Sequence, residues 1–160
     1  MIWTKQDLHH VHSYSKSVRY IMIGELFING RDAYKEWGVN MGDKFLDALG
    51  EKAGKKDYIT NNDRTKNGVE YCDSVPKTNE RTVTLTFTIT GSSQSDFVAK
   101  RDAFYEELDK GNIDITIPKD SAKVYHLKFK DSTGGYAQNT ERTFCKLGVK
   151  FIEPNPTNRT

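Results

Sequence analysis

One run constrains the fold of this chain more than any other: Arg81-Thr-Val-Thr-Leu-Thr-Phe-Thr-Ile-Thr90. Val83, Leu85, Phe87 and Ile89 alternate strictly with threonines. Successive side chains of a strand point to opposite faces, so this spacing puts four apolar groups on one side and a threonine stripe on the other. A helix would scatter both sets around its circumference. Threonine is stiff at χ1 and polar enough to meet water, which suits the outer face of a sheet. The run predicts a half-buried strand and a β-rich fold built around it.

The residues that follow extend the pattern. Gly91-Ser-Ser-Gln-Ser-Asp stops the strand and opens a helix, with Ser93 or Ser95 as the cap and Asp96 in the first turn, where the helix dipole favours an anion. Phe97, Phe104 and Leu108 share one stripe, flanked by Val98 and Tyr105, while Lys100, Asp102, Glu106 and Asp109 lie away from it. Lys110-Gly111 ends the helix, which spans about residues 95–109 and is long enough to cover one face of a sheet. Three more alternating runs follow. They are Ile113/Ile115/Ile117, stopped by Pro118; Tyr125/Leu127/Phe129, followed by the turn-like Asp131-Ser-Thr-Gly-Gly; and Cys145/Leu147/Val149/Phe151, ended by Glu153-Pro154.

Upstream, Asn29-Gly30 between an apolar run from Ile21 to Ile28 and Ala33 to Val39 predicts a hairpin with a type I′ turn. Trp37 and Val39 would then share one face of the second strand, and Tyr34 and Glu36 the other. Phe45, Leu46 and Leu49 suggest one short helical turn. Residues 51–80 are polar and rich in Gly, Asn, Lys and Asp, and read as a protruding loop or long hairpin with Tyr58-Ile59 and Val69 to Cys72 as its strands. A polar excursion this long in a small domain is more often functional than accidental. Residues 1–21 lack periodicity and are expected to be an arm or an extension, loose or docked on a neighbour; residues 155–160 are expected to be an exposed tail. One domain, residues 22–154, lies between them. The predicted class is mainly β (α+β): an antiparallel β-sandwich or barrel with one packed helix.

Several functional classes are disfavoured. No stretch of the 160 residues is apolar enough for a membrane span, and the N-terminus has no apolar core of a secretory signal. A net charge of +2, with acids and bases interspersed, does not point to nucleic acid. In the basic excursion Asp57 and Asp63 interrupt Lys55, Lys56, Arg64 and Lys66. Cys72 and Cys145 form no metal-type pair; they read as two reduced, partly buried thiols, with a single disulfide left open.

Motifs of chemistry are incomplete. Gly50-Glu-Lys-Ala-Gly-Lys-Lys is one residue short of a phosphate loop and has no Ser or Thr after the lysine. Gly91-Ser-Ser-Gln-Ser lacks the second glycine of a nucleophile elbow. Asp131-Ser-Thr-Gly reads as a turn. His9, His10 and His12 with Asp7 make a metal site on paper, but nothing in the segment holds ligands in place. His126 stands alone on a strand. The expectation is a protein that is not an enzyme and needs no cofactor or metal.

Taken in order, the opening Phe27-Ile-Asn-Gly-Arg-Asp, Trp37-Gly-Val, a polar excursion ending in Asn67-Gly68, and Glu80-Arg-Thr-Val-Thr-Leu-Thr-Phe-Thr-Ile-Thr-Gly form a familiar series. Asp96-Phe-Val-Ala-Lys-Arg-Asp-Ala-Phe, Tyr125-His-Leu-Lys-Phe and Val149-Lys-Phe-Ile-Glu-Pro complete it. Over residues 22–154 this series resembles the N-terminal domain of bacteriophage distal tail proteins and, more broadly, the phage tail-tube fold. The resemblance implies a structural tail subunit, found in the virion tail and made in the bacterial host cytoplasm. Copies would form a ring, typically a hexamer, with tube, tape-measure and hub proteins as partners. DNA would pass through the channel without specific binding. No second domain follows the matching region, so distal hub and tube-type protein both stay open. The candidate assembly surface is the excursion, with Lys55, Lys56, Tyr58, Ile59, Arg64, Lys66, Val69 and Tyr71. The alternative is a small ligand- or carbohydrate-binding β-barrel without catalysis, using Trp37, Tyr34 and Tyr136.

Overall fold

The structure, a computed structural model, describes residues 23–160. The N-terminal segment of residues 1–21, with its histidines, lies outside the described residues. Nine strands and three helices follow in chain order. They are β1 (Phe27–Ile28), β2 (Arg31–Asp32), α1 (Ala33–Trp37), β3 (Val39–Met41), α2 (Phe45–Leu49), β4 (Thr60–Asn61), β5 (Glu70–Tyr71), β6 (Arg81–Thr90), α3 (Gln94–Asp109), β7 (Asn112–Thr116), β8 (Val124–Tyr136) and β9 (Phe144–Glu153). Seven of the strands form one sheet in the order β2-β1-β7-β8-β9-β6-β3, and β4 and β5 pair apart from it. Every pairing is antiparallel.

The predicted strand at 81–90 is β6. Its burial alternates as expected, with Val83, Leu85, Phe87 and Ile89 inside. Across the ladder it faces β9, and the inward residues oppose one another: Val83 with Phe151, Leu85 with Val149, Phe87 with Leu147, Ile89 with Cys145. Directly opposed apolar pairs are what fixes register, because a one-residue slip of either strand would turn its whole apolar set outward. The helix predicted over 95–109 is α3. Ser93 caps it, its hydroxyl accepting from the Asp96 N–H at 3.2 Å. Phe97, Phe104 and Leu108 are buried against the sheet. Phe87 lies at the centre of the core, edge-on to Phe45, Phe104 and Phe151 with ring centroids 5.2, 5.4 and 6.3 Å away.

The sheet is strongly curled. β2 and β3 lie at its opposite edges, yet only α1 and Gly38 separate them in the chain. Laid flat, the six spacings between seven strands would span roughly 29 Å. A five-residue helix advances only about 7.5 Å, and its flanking residues add a few Å each. The edges must therefore bend towards each other, which encloses the core between the sheet, α3 and the two short helices. The result is the mainly antiparallel β architecture with one packed helix that the sequence indicates.

Three local expectations are corrected. The type I′ turn is present, with Asn29 at φ 53° and Gly30 at φ 79°, but its second strand stops at Asp32. Ala33 to Trp37 is helical because Asp32 caps it, accepting from the Lys35 N–H at 3.1 Å, and Gly38 ends it at φ 63°. Trp37 is thereby turned into the core. The Asp131-Ser-Thr-Gly-Gly turn is instead the middle of β8, which accommodates it with two bulges and Gly134 at φ 75°. Bulges add residues to one strand without ending the ladder. The strands of the polar excursion also fall at Thr60–Asn61 and Glu70–Tyr71, so Tyr58-Ile59 precedes its first strand.

The centrality of Phe87 can be measured. Phe87→Ala is expected to cost about 3–5 kcal/mol in denaturant unfolding, as for other large-to-small core changes. Thr84→Ala, on the exposed face of the same strand, should stay within about 0.5 kcal/mol of the parent. Equal effects would refute the inside–outside assignment of β6.

Candidate assembly surface

The polar excursion forms a hairpin arm. Its base is the antiparallel bridge between Lys55 and Thr78, supported by the Lys56 N–H to Lys77 carbonyl bond at 2.9 Å and the Asn79 N–H to Gly54 carbonyl bond at 2.9 Å. Further out, β4 pairs with β5, and the Cys72 N–H donates to the Ile59 carbonyl at 2.9 Å. Asp63 shapes the end, its carboxylate accepting from the backbone N–H and hydroxyl of Thr65 at 2.9 and 2.7 Å. Those bonds hold the Asp63 carboxyl below the usual carboxylate range.

The arm is unusual in its apolar content. Ile59 is 76% exposed, Val75 66% and Tyr71 62%, with Tyr58 and Val69 also exposed. Tyr58 and Tyr71 meet edge-on, their centroids 5.8 Å apart, and neither reaches the core. A two-stranded ribbon on its own is marginally stable in water, and clustered exposed apolar groups commonly mark contact surfaces. All eight candidate residues of the sequence lie on this arm and all are exposed. Lys66 pairs with Glu70 at 3.1 Å across solvent, which contributes little. Val75, between Ser74 and Pro76, belongs to the same exposed apolar set but is part of no alternating run in the sequence.

The arm's base is held by an ion network that the sequence does not reveal. Arg81, at the first position of β6, is 8% exposed, and Glu153, at the end of β9, is fully buried. The Arg81 Nε donates to Glu153 Oε1 at 2.5 Å. Its two other nitrogens donate to the carbonyls of Glu51 and Leu49 at 2.6 and 2.8 Å. On the other side, Arg159 donates to both Glu153 oxygens at 3.1 Å and lies over the Tyr125 ring at 4.8 Å. One carboxylate thus joins the core, the start of the arm and the C-terminal tail. In that tail Asn155, Thr157, Asn158 and Thr160 are exposed, but Pro156 is buried and Arg159 is docked. A second buried carboxylate, Glu107 on α3, is met by Asn29, Arg31 and Lys110 at 2.7, 2.5 and 2.8 Å. Burial opposes its charge, but these bonds outweigh it and hold its carboxyl below the ordinary value.

Other singled-out residues have structural partners. Asp96 accepts from the Ser92 N–H and pairs with Lys100, which lowers its pKa. Trp37 is buried against Phe104, with the Arg31 guanidinium over its ring at 4.9 Å. It therefore offers no platform beside Tyr34 and Tyr136. Among the described residues no three His, Cys, Asp or Glu side chains gather where a metal could be held, and no helix is long and apolar enough to cross a membrane. Both cysteines are free: Cys145 is buried and Cys72 is exposed on the arm.

Comparisons with known proteins add a likeness of fold. No family model matches the chain, and no curated protein matches it. Among solved structures the chain is similar to the Dit protein of phage SPP1, described as a paradigm of the hub adsorption apparatus of phages that infect Gram-positive bacteria. The TM-score is 0.54 at 14% identity, over 82% of this chain and 50% of that one. This chain therefore spans half the length of that protein. At this identity the likeness establishes a shared fold.

The two thiols provide a probe of the arm. The Ser74 hydroxyl, 3.2 Å from the Cys72 sulfur, and then the Ser74 N–H lower the Cys72 pKa, whereas burial raises that of Cys145. A thiol reagent at neutral pH should consume one equivalent quickly in the native protein and the second only on unfolding. Cys72→Ser should abolish the fast phase; if the fast phase persists, the arm is not placed as described.

Proposed function

We propose that the chain is a structural subunit of a phage or prophage tail, a ring-forming distal tail or tube-type protein that assembles around the DNA channel. The observation that carries this reading is the fold shared with a phage hub protein over four-fifths of the chain. The arm supports it independently, because a closed ring needs a surface on each subunit that fits a different surface on the next. Ile59, Tyr71 and Val75 provide exposed apolar area of the kind an interface buries, and the basic Lys55, Lys56, Arg64 and Lys66 form its polar surroundings. Partners in this reading are other copies, six to a ring, together with tube, tape-measure and hub proteins of the tail. The reading assigns the chain a structural role, in keeping with two buried carboxylates that meet arginine, lysine and asparagine partners and with serines of the Gly91 turn that bind the helix start. Synthesis in a bacterial host and residence in the virion tail belong to the same proposal.

The arm can be removed cleanly. Lys55 and Thr78 are bridge partners, so their Cα atoms lie about 5 Å apart and a two-residue Asn-Gly turn can join them. Replacing residues 56–77 by Asn-Gly should leave the melting temperature within a few degrees of the parent. It should also abolish ring or tube formation in mass measurement and negative-stain imaging, with tail partners supplied as nucleators. The paired change Ile59→Asp and Tyr71→Asp should do the same with the arm intact. Assembly that survives both changes would overturn the arm as the interface.

A further inference from the structure

The last residues of the chain form a strap across one end of the sheet, and its attachment contains a chemical asymmetry. His126 of β8 contacts acceptors through both ring nitrogens: Nδ1 lies 2.9 Å from the Asp114 carboxylate on β7, and Nε2 lies 2.8 Å from the Thr160 backbone carbonyl oxygen. A carboxylate and a carbonyl can only accept. A neutral imidazole has one N–H and can donate to only one of them, so the observed pair of contacts is satisfied in full only by the imidazolium. We infer that His126 is a proton-dependent latch that holds the 154–160 strap on the sheet and, through the strap, steadies the base of the hairpin arm.

The remaining attachments define what the latch controls. Within the strap, the Arg159 carbonyl accepts from the Val124 N–H at 2.9 Å, and its guanidinium reaches Glu153. Pro156, Thr157 and Arg159 share a cleft of about 280 Å³ with Glu51, Ala53 and Thr78, where the arm begins and ends. Glu153 also pairs with Arg81, whose other nitrogens hold Leu49 and Glu51. Releasing one end of the strap therefore loosens a wall of the cleft that positions the arm. The charged groups acting on His126 are Asp114 on β7 and Glu153 on β9, both favouring the cation, with Lys128 on β8 lining the same cleft. The Thr160 carbonyl and then Asp114 raise the His126 pKa above its ordinary 6.5. The sign follows: a group whose folded pKa is raised contributes stability that is complete below the unfolded value and is lost as pH rises through the folded one. The strap is latched below pH 6.5 and loosens as the pH rises through the raised His126 value.

Proton NMR of the full chain from pH 5 to 9 tests this directly. The His126 ring resonance is assigned by its loss in His126→Gln, which separates it from the histidines near the N-terminus. Its midpoint should lie above 6.5 and should fall in Asp114→Asn. The amides of Val124, Arg159 and Thr160 should follow the same curve, and Glu51 and Ala53 should follow it with smaller amplitude. Exchange protection of the Val124 amide, corrected for intrinsic rates, should drop severalfold across the transition in the parent and show no such step in His126→Gln. A midpoint at or below the ordinary value, or a strap and arm base blind to the titration, would overturn the latch. The test does not depend on assembly, so it stands or falls apart from the proposed tail function.

Discussion

The ten-residue ladder between β6 and β9 is the constraint on which the rest of the structure depends. Its inward face supplies eight of the buried apolar residues, and each sits directly opposite another. Slipping the register by one would turn the four of the slipped strand outward together, so no intermediate alignment competes. The two ends of the ladder are fixed separately. At one end Gly91 leaves the strand by donating to the Thr143 carbonyl at 2.8 Å, and an added Cβ there would lie 2.5 Å from the Phe97 nitrogen. The start of α3 can pack this closely only because residue 91 has no side chain. At the other end, Arg81 opposes Glu153 in register and the two side chains pair.

That second end is where the rigid part of the molecule meets the exposed part. A buried ion pair seldom adds net stability, because desolvating both charges offsets their attraction, but removing one partner leaves the other stranded. Glu153 is surrounded by donors from two arginines, and Arg81 uses its spare donors on two carbonyls that no strand partner satisfies. The network therefore acts as a geometric joint. It holds the turn after α2, the foot of the arm and the strap at fixed positions relative to the ladder, using bonds that tolerate little displacement.

How much of this is readable in the sequence follows from which signals are local. The strand at 81–90, the Ser93-capped helix and the Asn29-Gly30 turn depend on periodicity, capping and backbone preference, all carried by near neighbours. The helix at Ala33–Trp37 was also encoded locally, in Asp32 at its start and Gly38 at its end, but five residues are too few for periodicity to show. β8 passes through Asp131-Ser-Thr-Gly-Gly because its neighbour β9 supplies a ladder there, a tertiary effect that overrides turn chemistry. The burial of Arg81, Glu107 and Glu153 was not readable at all. A charge in sequence looks the same whether its partner is 70 residues away or absent, and these pairs span 72 and 76 residues. The arm was visible as a polar excursion, but its apolar character depends on Ile59, Tyr71 and Val75 finding no place in the core.

The arm's own energetics bear on why a subunit would carry it. Its hydrogen bonds are few, its pairing irregular between the Lys55 bridge and β4, and its side chains are mostly in water. Such a ribbon gains little from being folded alone and keeps much of its conformational entropy until something covers it. Under the proposed tail role this has a useful consequence. Ordering the arm on a neighbour reduces the net affinity of a single contact, so isolated subunits stay apart at low concentration. A subunit joining a growing ring meets a surface already held in place, and closing the ring satisfies two interfaces at once. Assembly that is weak pairwise and strong on closure favours complete rings over scattered dimers. The stiff foot of the arm, fixed by Arg81 and Glu153, limits that entropy cost to the outer residues. It leaves the direction of the arm set by the ladder and only its surface to be settled by the partner.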